Sequence, residues 1–420
     1  MTARQLALKV LYEVEKNGAF PGLELKKQLG ASELSAVDRG FATELVYGVL
    51  KNRTRLDFII SKYSKQKLKK ISDWIINILR MGVYQIIFLD KVPLSAAVNE
   101  SVKLAKRYGH QASSGFVNGV LRNVGRSGDV EYPKGREFYE IFYSHPRWLV
   151  DMLFDQYGED ARAIIENNNK VPATTVRVNV LKSTADCVVK SLTEKGVKAE
   201  KTVCGNVLKI SDFGDISRLS EYTDGFITPQ GLSSYMAAEA VDAKKGQVIL
   251  DLCSAPGGKT TAMAEMCGDG AEIYAFDLFE HKAELIKANC KRLGIKGVTA
   301  KAHDGTVLME EFVGKADRVL ADVPCSGLGI IRKKPDIKWN KETADFDGIT
   351  AIQKKILENA GKYLKKGGVL VYSTCTLNKN ENEILAEEFA EKYNFEIINM
   401  ETFFPDNEHD GFFICKMTKE

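Results

Sequence analysis

The 420-residue chain has no cysteine before position 187 and no CxxC pair among its eight cysteines. That excludes a zinc ribbon or a redox dithiol built on such a spacing. Its five histidines fall at no metal-ligand spacing, so no metal is expected. No apolar run approaches the roughly 18 residues needed to cross a bilayer, and the opening MTARQLALKVLYEVEKNG lacks the unbroken apolar core of an export signal. These absences predict a cytoplasmic chain with reduced thiols and no membrane partner. Repeats and low-complexity tracts are missing too. With 44% hydrophobic and 27% charged residues, the composition is that of a folded protein of two or three domains.

Charge is plentiful but unevenly placed. Residues 1–140 hold 23 basic against 14 acidic residues, net +9, and residues 141–420 hold 36 against 42, net −6. Between Lys51 and Lys70 stand Lys51, Arg53, Arg55, Lys62, Lys65, Lys67, Lys69 and Lys70 with Asp57 as the one acid. Lys103, Lys106, Arg107, Arg122 and Arg126 follow without any. Clusters of this kind neutralise phosphates and release counterions, the footprint of nucleic-acid binding; a merely solvated helical face is the alternative.

Apolar residues recur at helical spacing through 1–125, as in Leu6, Val10, Leu11 and Val14. Ser72 and Asp73 start a run to Phe88, Pro93 opens the next, and Gly30, Gly109 and the GRSGD stretch at 125–129 punctuate. An all-α domain over 1–125 is predicted, then a connection at 126–144. Over 145–232 a helix (148–157), alternating TTVRVNV (174–180), an amphipathic 184–195 and VLKI (207–210) predict a small α+β domain. Over 233–420 continuous apolar strands at 248–253, 273–277, 298–304, 318–324 and 369–375 alternate with helices, which predicts a parallel sheet covered on both faces. FEIINM at 395–400 and FFICKM at 412–417 have no helix between them and should pair antiparallel at one edge.

The first of these strands enters DLCSAPGGKT (251–260), a glycine loop before a helix. Neither GxGxxG nor GxxxxGK[ST] is present, so no pyrophosphate is expected there, and the ribose expected there comes from the second strand. Asp277 closes the second strand 26 residues after Asp251, near the roughly 20-residue offset of the acid that grips ribose hydroxyls in Rossmann folds. Cys325 lies just past the fourth strand and Cys375 closes the fifth. Both thiols therefore fall at the carboxyl ends of the strands, where such sheets bind ligands.

APGGK after DLC, FDL with Asp277, HDGT with Asp304, DVPCSGLG with Asp322 and Cys325, RKKPDIKW at 332–339 and STCTLNKNENE with Cys375 together resemble the S-adenosylmethionine-dependent NOL/NOP/Sun RNA cytosine-5 methyltransferases. The match runs over about 145–420. DRGFATELVYGVL, ILRMGVYQIIFLDKVPLSAAVNESVKLAK and FVNGVLRNV resemble the NusB-like helical domain carried by bacterial members that act on small-subunit ribosomal RNA.

The resemblance implies a Rossmann-like class I methyltransferase domain, a NusB-like all-α domain and S-adenosyl-L-methionine as cofactor, in a monomer. Small-subunit (16S) ribosomal RNA, naked or early in assembly, is the implied partner. It assigns cofactor contacts to Cys253, Ser254, Ala255, Pro256, Gly257, Gly258, Lys259, Asp277, Asp304 and Asp322. Cys375 is the implied nucleophile at carbon 6 of cytosine, Cys325 the group that resolves the adduct, Asp322 the reader of the base edge, and Lys259 an orienting group. A thiolate suits the nucleophile's task because it attacks near neutral pH and leaves readily. Arg332, Lys333 and Lys334 are expected to hold phosphates near the pocket, with Lys51, Arg53, Arg55, Lys67, Lys69 and Lys70 gripping RNA at a distance. Cys187, Cys204, Cys267, Cys290 and Cys415 are read as small buried residues, and Cys253 as packing beside the loop. Two departures from the family pattern are Gly231, where an acid is frequent, and Lys282, where arginine is common. Transfer RNA as substrate, a non-catalytic antitermination-like binding protein, and a small-molecule methyltransferase are the competing readings. The last leaves the basic helical domain unexplained.

Overall fold

The computed structural model describes residues 1–127, 130–340 and 345–420. They form two compact units, one from 1–170 with 331–340, the other from 171–330 with 345–420.

The first unit is helical. Helices Ala3–Asn17, Pro21–Gly30, Ala36–Lys51, Arg53–Tyr63, Asp73–Phe88, Leu94–Tyr108 and Gln111–Ser127 share one apolar core built around Leu6, Leu45, Ile60, Leu79 and Leu121. Thr2 opens the first helix with a capping box to Gln5. Ser72 and Pro93 precede their helices as the sequence predicts. Asp73–Phe88 is the central helix, buried from Ile75 to Gln85, so its polar residues need partners. Arg80 finds them in the carboxylates of Asp57 and Glu15, at 2.7–2.9 Å.

The expected break at GRSGD comes late, because the helix continues to Ser127. Gly125 sits inside it as a packing residue: a Cβ there would collide with the Leu94 side chain. Gly128 and Asp129 of that stretch lie outside the described residues. Three shorter helices, Arg136–Phe142, Arg147–Tyr157 and Asp160–Asn167, follow.

The second unit holds two sheets. Strands β1 (Thr174–Val178), β2 (Lys198–Lys201), β3 (Val207–Ser211) and β4 (Ile227–Pro229) form an antiparallel sheet in the order β2-β3-β1-β4. Helix Ala185–Glu194 packs on it through Val188 and Leu192. Strands β5 (Val248–Asp251), β6 (Glu272–Asp277), β7 (Val298–Ala302), β8 (Ala316–Asp322), β9 (Leu364–Thr374), β10 (Phe395–Phe403) and β11 (Phe412–Lys419) form the larger sheet, ordered β10-β11-β9-β8-β5-β6-β7. From β7 to β9 the neighbours are parallel. β11 is antiparallel to both β9 and β10, as expected for the last two strands. The strand order reverses between β5 and β8, which opens a crevice at their carboxyl ends. Two apolar clusters, around Ile249 and Met263 and around Leu250 and Leu357, cover the two faces.

Candidate active site

The loop after β5 is built from backbone contacts. Both the N–H and the hydroxyl of Ser254 donate to the Phe276 carbonyl at 2.8 Å. The Ala255–Pro256 bond is cis, and Asn289 Nδ2 donates to the Pro256 carbonyl at 2.8 Å. Gly257 has φ +96° and caps helix Gly258–Met266; a side chain there would be strained and would press on Ile286 at 3.2 Å.

At the end of β6, Asp277 is buried. Its carboxylate accepts from the Ala255 N–H at 3.1 Å and pairs with Lys282 Nζ at 3.0 Å, so lysine serves where arginine is common. Asp304 is exposed. It accepts from the Thr306 N–H and hydroxyl at 2.9 and 2.7 Å, and these bonds hold its carboxyl below the usual carboxylate range. Both acids line a cleft of about 590 Å³ whose apolar walls include Leu278, Val323 and Ile352. That size and this mixture of carboxylates and apolar wall fit a nucleoside-containing cofactor.

Asp322 ends β8 in the same cleft. One carboxylate oxygen pairs with Lys259 Nζ at 2.7 Å and the other accepts from the Ser373 hydroxyl at 2.8 Å. The neighbouring charges of Asp322 and Asp251 raise the Lys259 ammonium against the opposing effect of burial, so it is firmly cationic. Cys325 and Cys375 meet at the ends of the parallel neighbours β8 and β9 with their sulfurs 3.0 Å apart. This is hydrogen-bond contact between reduced thiols, since a disulfide would need about 2.05 Å. The hydrogen bond with Cys375 and burial push the Cys325 thiol well above its ordinary value. It stays protonated at neutral pH.

The sequence reading missed what holds these groups. Glu381, fully buried in the NKNENE stretch, accepts from the Ser326 N–H at 2.9 Å and from Gln353 Nε2 at 3.0 Å, and so fixes the Cys325 loop. Arg177 on β1 donates to the Gly258 carbonyl at 2.6 Å and pairs with Glu265 at 2.8 Å. In the sequence Arg177 alternates with Val176 and Val178 and so reads as the polar face of its strand, and nothing in that pattern signals its burial.

The basic residues separate into two kinds. Lys67, Lys69 and Lys70 are exposed, as are Lys333 and Lys334. Arg332 is 5% exposed and presents no surface to a phosphate. Arg55 lies over the Phe142 ring at 4.0 Å and donates to Tyr132 at 3.1 Å. Arg53 pairs with Glu15 at 3.0 Å and faces the Trp339 ring. Lys51 donates to the Asn169 carbonyl at 3.2 Å. These three are engaged within the helical unit, contrary to the expectation of free phosphate ligands. Among the cysteines, Cys187 is exposed and Cys204 half-buried, which corrects their reading as buried. Burial pushes the Cys253 thiol well up. No cluster able to hold a metal and no helix able to cross a membrane occurs among the described residues.

A Rossmann-like sheet with a reversal point, a ribose-type acid on β6 and an apolar-walled cleft holding carboxylates at the strand ends defines a class I methyltransferase domain. The comparisons agree. The model of the family described as 16S rRNA methyltransferase RsmB/F matches residues 238–418, the NusB family matches 1–126, and the RsmF/B-like ferredoxin-like domain matches 145–217. The probable ribosomal RNA small subunit methyltransferase B of Bacillus subtilis (strain 168) is 36% identical over 100% of this chain and 99% of its own. The ribosomal RNA small subunit methyltransferase B of Escherichia coli O127:H6 is 31% identical over 99% and 98%. Among solved structures, PH0851 superposes with TM-score 0.82 at 24% identity, covering 99% of this chain and 98% of that one. A methyltransferase homologue from Pyrococcus horikoshii gives 0.61 at 28% identity, covering 67% and 98%. The chain belongs to the RsmB/F family of S-adenosylmethionine-dependent 16S ribosomal RNA methyltransferases.

Proposed function

We propose that the chain methylates carbon 5 of a cytosine in small-subunit ribosomal RNA through a covalent adduct on Cys375. The contact of the Cys325 and Cys375 sulfurs at 3.0 Å beside the Asp322–Lys259 pair carries this reading. Carbon 5 of cytosine is too weak a nucleophile by itself. Addition of the Cys375 thiolate at carbon 6 makes it an enamine carbon. Asp322, held by Lys259 and Ser373, accepts a hydrogen bond from the amino group of the base edge, and the Lys259 ammonium beside it offsets the negative charge that develops on addition.

S-adenosylmethionine, when bound, supplies an electrophilic methyl group; Asp277, Asp304 and the 253–259 loop would hold it. Forming the Cys375 adduct removes the hydrogen bond and the charge that keep Cys325 protonated, so Cys325 releases its proton to water. Once carbon 5 is methylated, the Cys325 thiolate takes the proton from that carbon, the carbon–sulfur bond breaks, and Cys375 leaves as thiolate. The base must be unstacked to reach the cleft, so loop or single-stranded RNA is the substrate form. The 1–125, 145–232 and 233–420 stretches act as RNA-gripping, connecting and catalytic domains in a cytoplasmic enzyme.

Cys375→Ala is expected to abolish methyl transfer with RNA binding intact. Cys325→Ala should accumulate a denaturant-resistant protein–RNA adduct, visible as a retarded band on a denaturing gel. Full activity of the first variant sinks the covalent mechanism. Absence of the band in the second overturns the release role.

A further inference from the structure

Arg177 is 1% exposed, and each of its five N–H donors has an acceptor. Nε and one Nη2 proton reach the Glu265 carboxylate, both at 2.8 Å. The other Nη2 proton reaches the Thr261 hydroxyl at 2.9 Å. Nη1 donates to the Gly258 carbonyl and to Gln230 Oε1. Because a guanidinium can only donate, the Gln230 amide has one permitted orientation, with oxygen toward Arg177 and nitrogen away. That nitrogen, Nε2, is buried and has no hydrogen-bond partner among the described residues, and Gln230 is 7% exposed. Burying such a donor is costly unless something accepts from it.

Gln230 lines a cavity of about 230 Å³ together with Asp251, Pro256, Gly258 and Lys259. The cavity adjoins the nucleoside cleft, with Cys253, Ala255 and Asp322 bordering both. It opens at the start of helix Gly258–Met266, whose first N–H groups precede the earliest intrahelical bond, from Thr261 to Gly257, and favour an anion. On its other side Asp251 Oδ1 also lacks a partner. A free donor and a helix N-terminus facing a free carboxyl oxygen complement an α-amino-acid group, with its carboxylate and its ammonium.

We propose that Gln230 binds the amino-acid end of the cofactor, its Nε2 donating to the α-carboxylate, and that Arg177 is the positioning residue that aims it. The inference rests on the S-adenosylmethionine reading. It adds a cofactor contact from outside the 251–260 loop and ties the small antiparallel sheet to cofactor binding.

The test is calorimetric titration of the full chain with S-adenosylhomocysteine, which has the amino-acid end, and with methylthioadenosine, which lacks it. Gln230→Glu keeps an acceptor facing Arg177 and replaces the donor with a second acceptor. It should lose about tenfold or more in affinity for S-adenosylhomocysteine and stay within about twofold for methylthioadenosine. Gln230→Met should show the same selectivity in weaker form. Arg177→Lys, unable to fill five acceptors, should raise the KM for the cofactor with kcat unchanged. Retained methylthioadenosine binding reports that the fold is intact. Equal losses for both ligands, or none, overturn the proposal. Failure of the unaltered chain to bind either ligand sinks the cofactor reading and this inference with it.

Discussion

Asp251 is fully buried, and desolvation pushes its carboxyl up to about 7, with the Asp322 charge adding to the rise and the Thr260 hydroxyl opposing it. In the unfolded chain the same carboxyl ionises near 4. Between those values the native state holds a proton that the unfolded state has released. The contribution to stability is therefore whole below about pH 4 and is lost as pH rises to about 7. Three pH units correspond to a loss on the order of 4 kcal/mol. Asp251→Asn keeps an acceptor for Thr260 and has no proton to lose. Its urea-unfolding free energy should exceed that of the parent at pH 7 and converge with it near pH 4. Parallel pH profiles for the two proteins would show that Asp251 ionises normally in the fold.

Elements were legible where periodicity was strong. The seven strands of the larger sheet were marked by apolar runs or, at the end, by the FEIINM and FFICKM pair, and the helices of 1–125 by three- and four-residue spacing. β2 was missed because it is an edge strand of sequence KAEK, mostly exposed, and nothing in its pattern demands a sheet. β4 spans three residues, too few for a period. The two cysteines were legible because each follows closely on a strand end, whereas their contact depends on β8 and β9 being neighbours.

One element fixing that contact is the turn after Cys325. Gly327 has φ +77°. Gly329 donates to the Cys375 carbonyl at 3.0 Å and accepts from the Gly411 N–H at 2.9 Å. A Cβ on Gly329 would fall on the Gly411 carbonyl oxygen, backbone against backbone, so neither side chain nor rotamer can yield. Gly329→Ala should displace the Cys325 turn and cut kcat by about 100-fold or more, the scale expected for ångström misplacement of a reacting group. The cost in stability should be about 1–3 kcal/mol, measured by urea denaturation. Normal turnover would show that the turn relaxes without moving Cys325.

For the molecule as a whole, the split of charge into a basic first third and an acidic remainder was visible in the sequence. Which cations are available to RNA was not, because that depends on what surrounds each side chain. Residues 331–340 belong to the helical unit. There Trp339 Nε1 donates to the Leu50 carbonyl at 2.8 Å, and Lys338 Nζ to the carbonyls of Lys51 and Ser144 at 2.9 and 2.6 Å. Burial holds Lys338 well below the ordinary lysine range. Removing residues 1–125 would take away the Leu50 and Lys51 acceptors, so a deletion would confuse lost RNA contacts with a lost fold.

Point substitutions separate the two. Lys67, Lys69 and Lys70 are exposed on the 67–70 turn, and replacing all three with alanine should reduce the slope of log K against log salt for RNA binding by about 2–3, near 0.7–0.9 per phosphate neutralised. The unfolding free energy should barely change. Arg55→Ala is expected to do the reverse: it removes a cation packed against Phe88, Tyr132 and Phe142, costs about 1–2 kcal/mol of stability, and leaves the slope where it was. A salt slope that responds to Arg55 and ignores the three lysines would place the RNA on the opposite side of this basic segment.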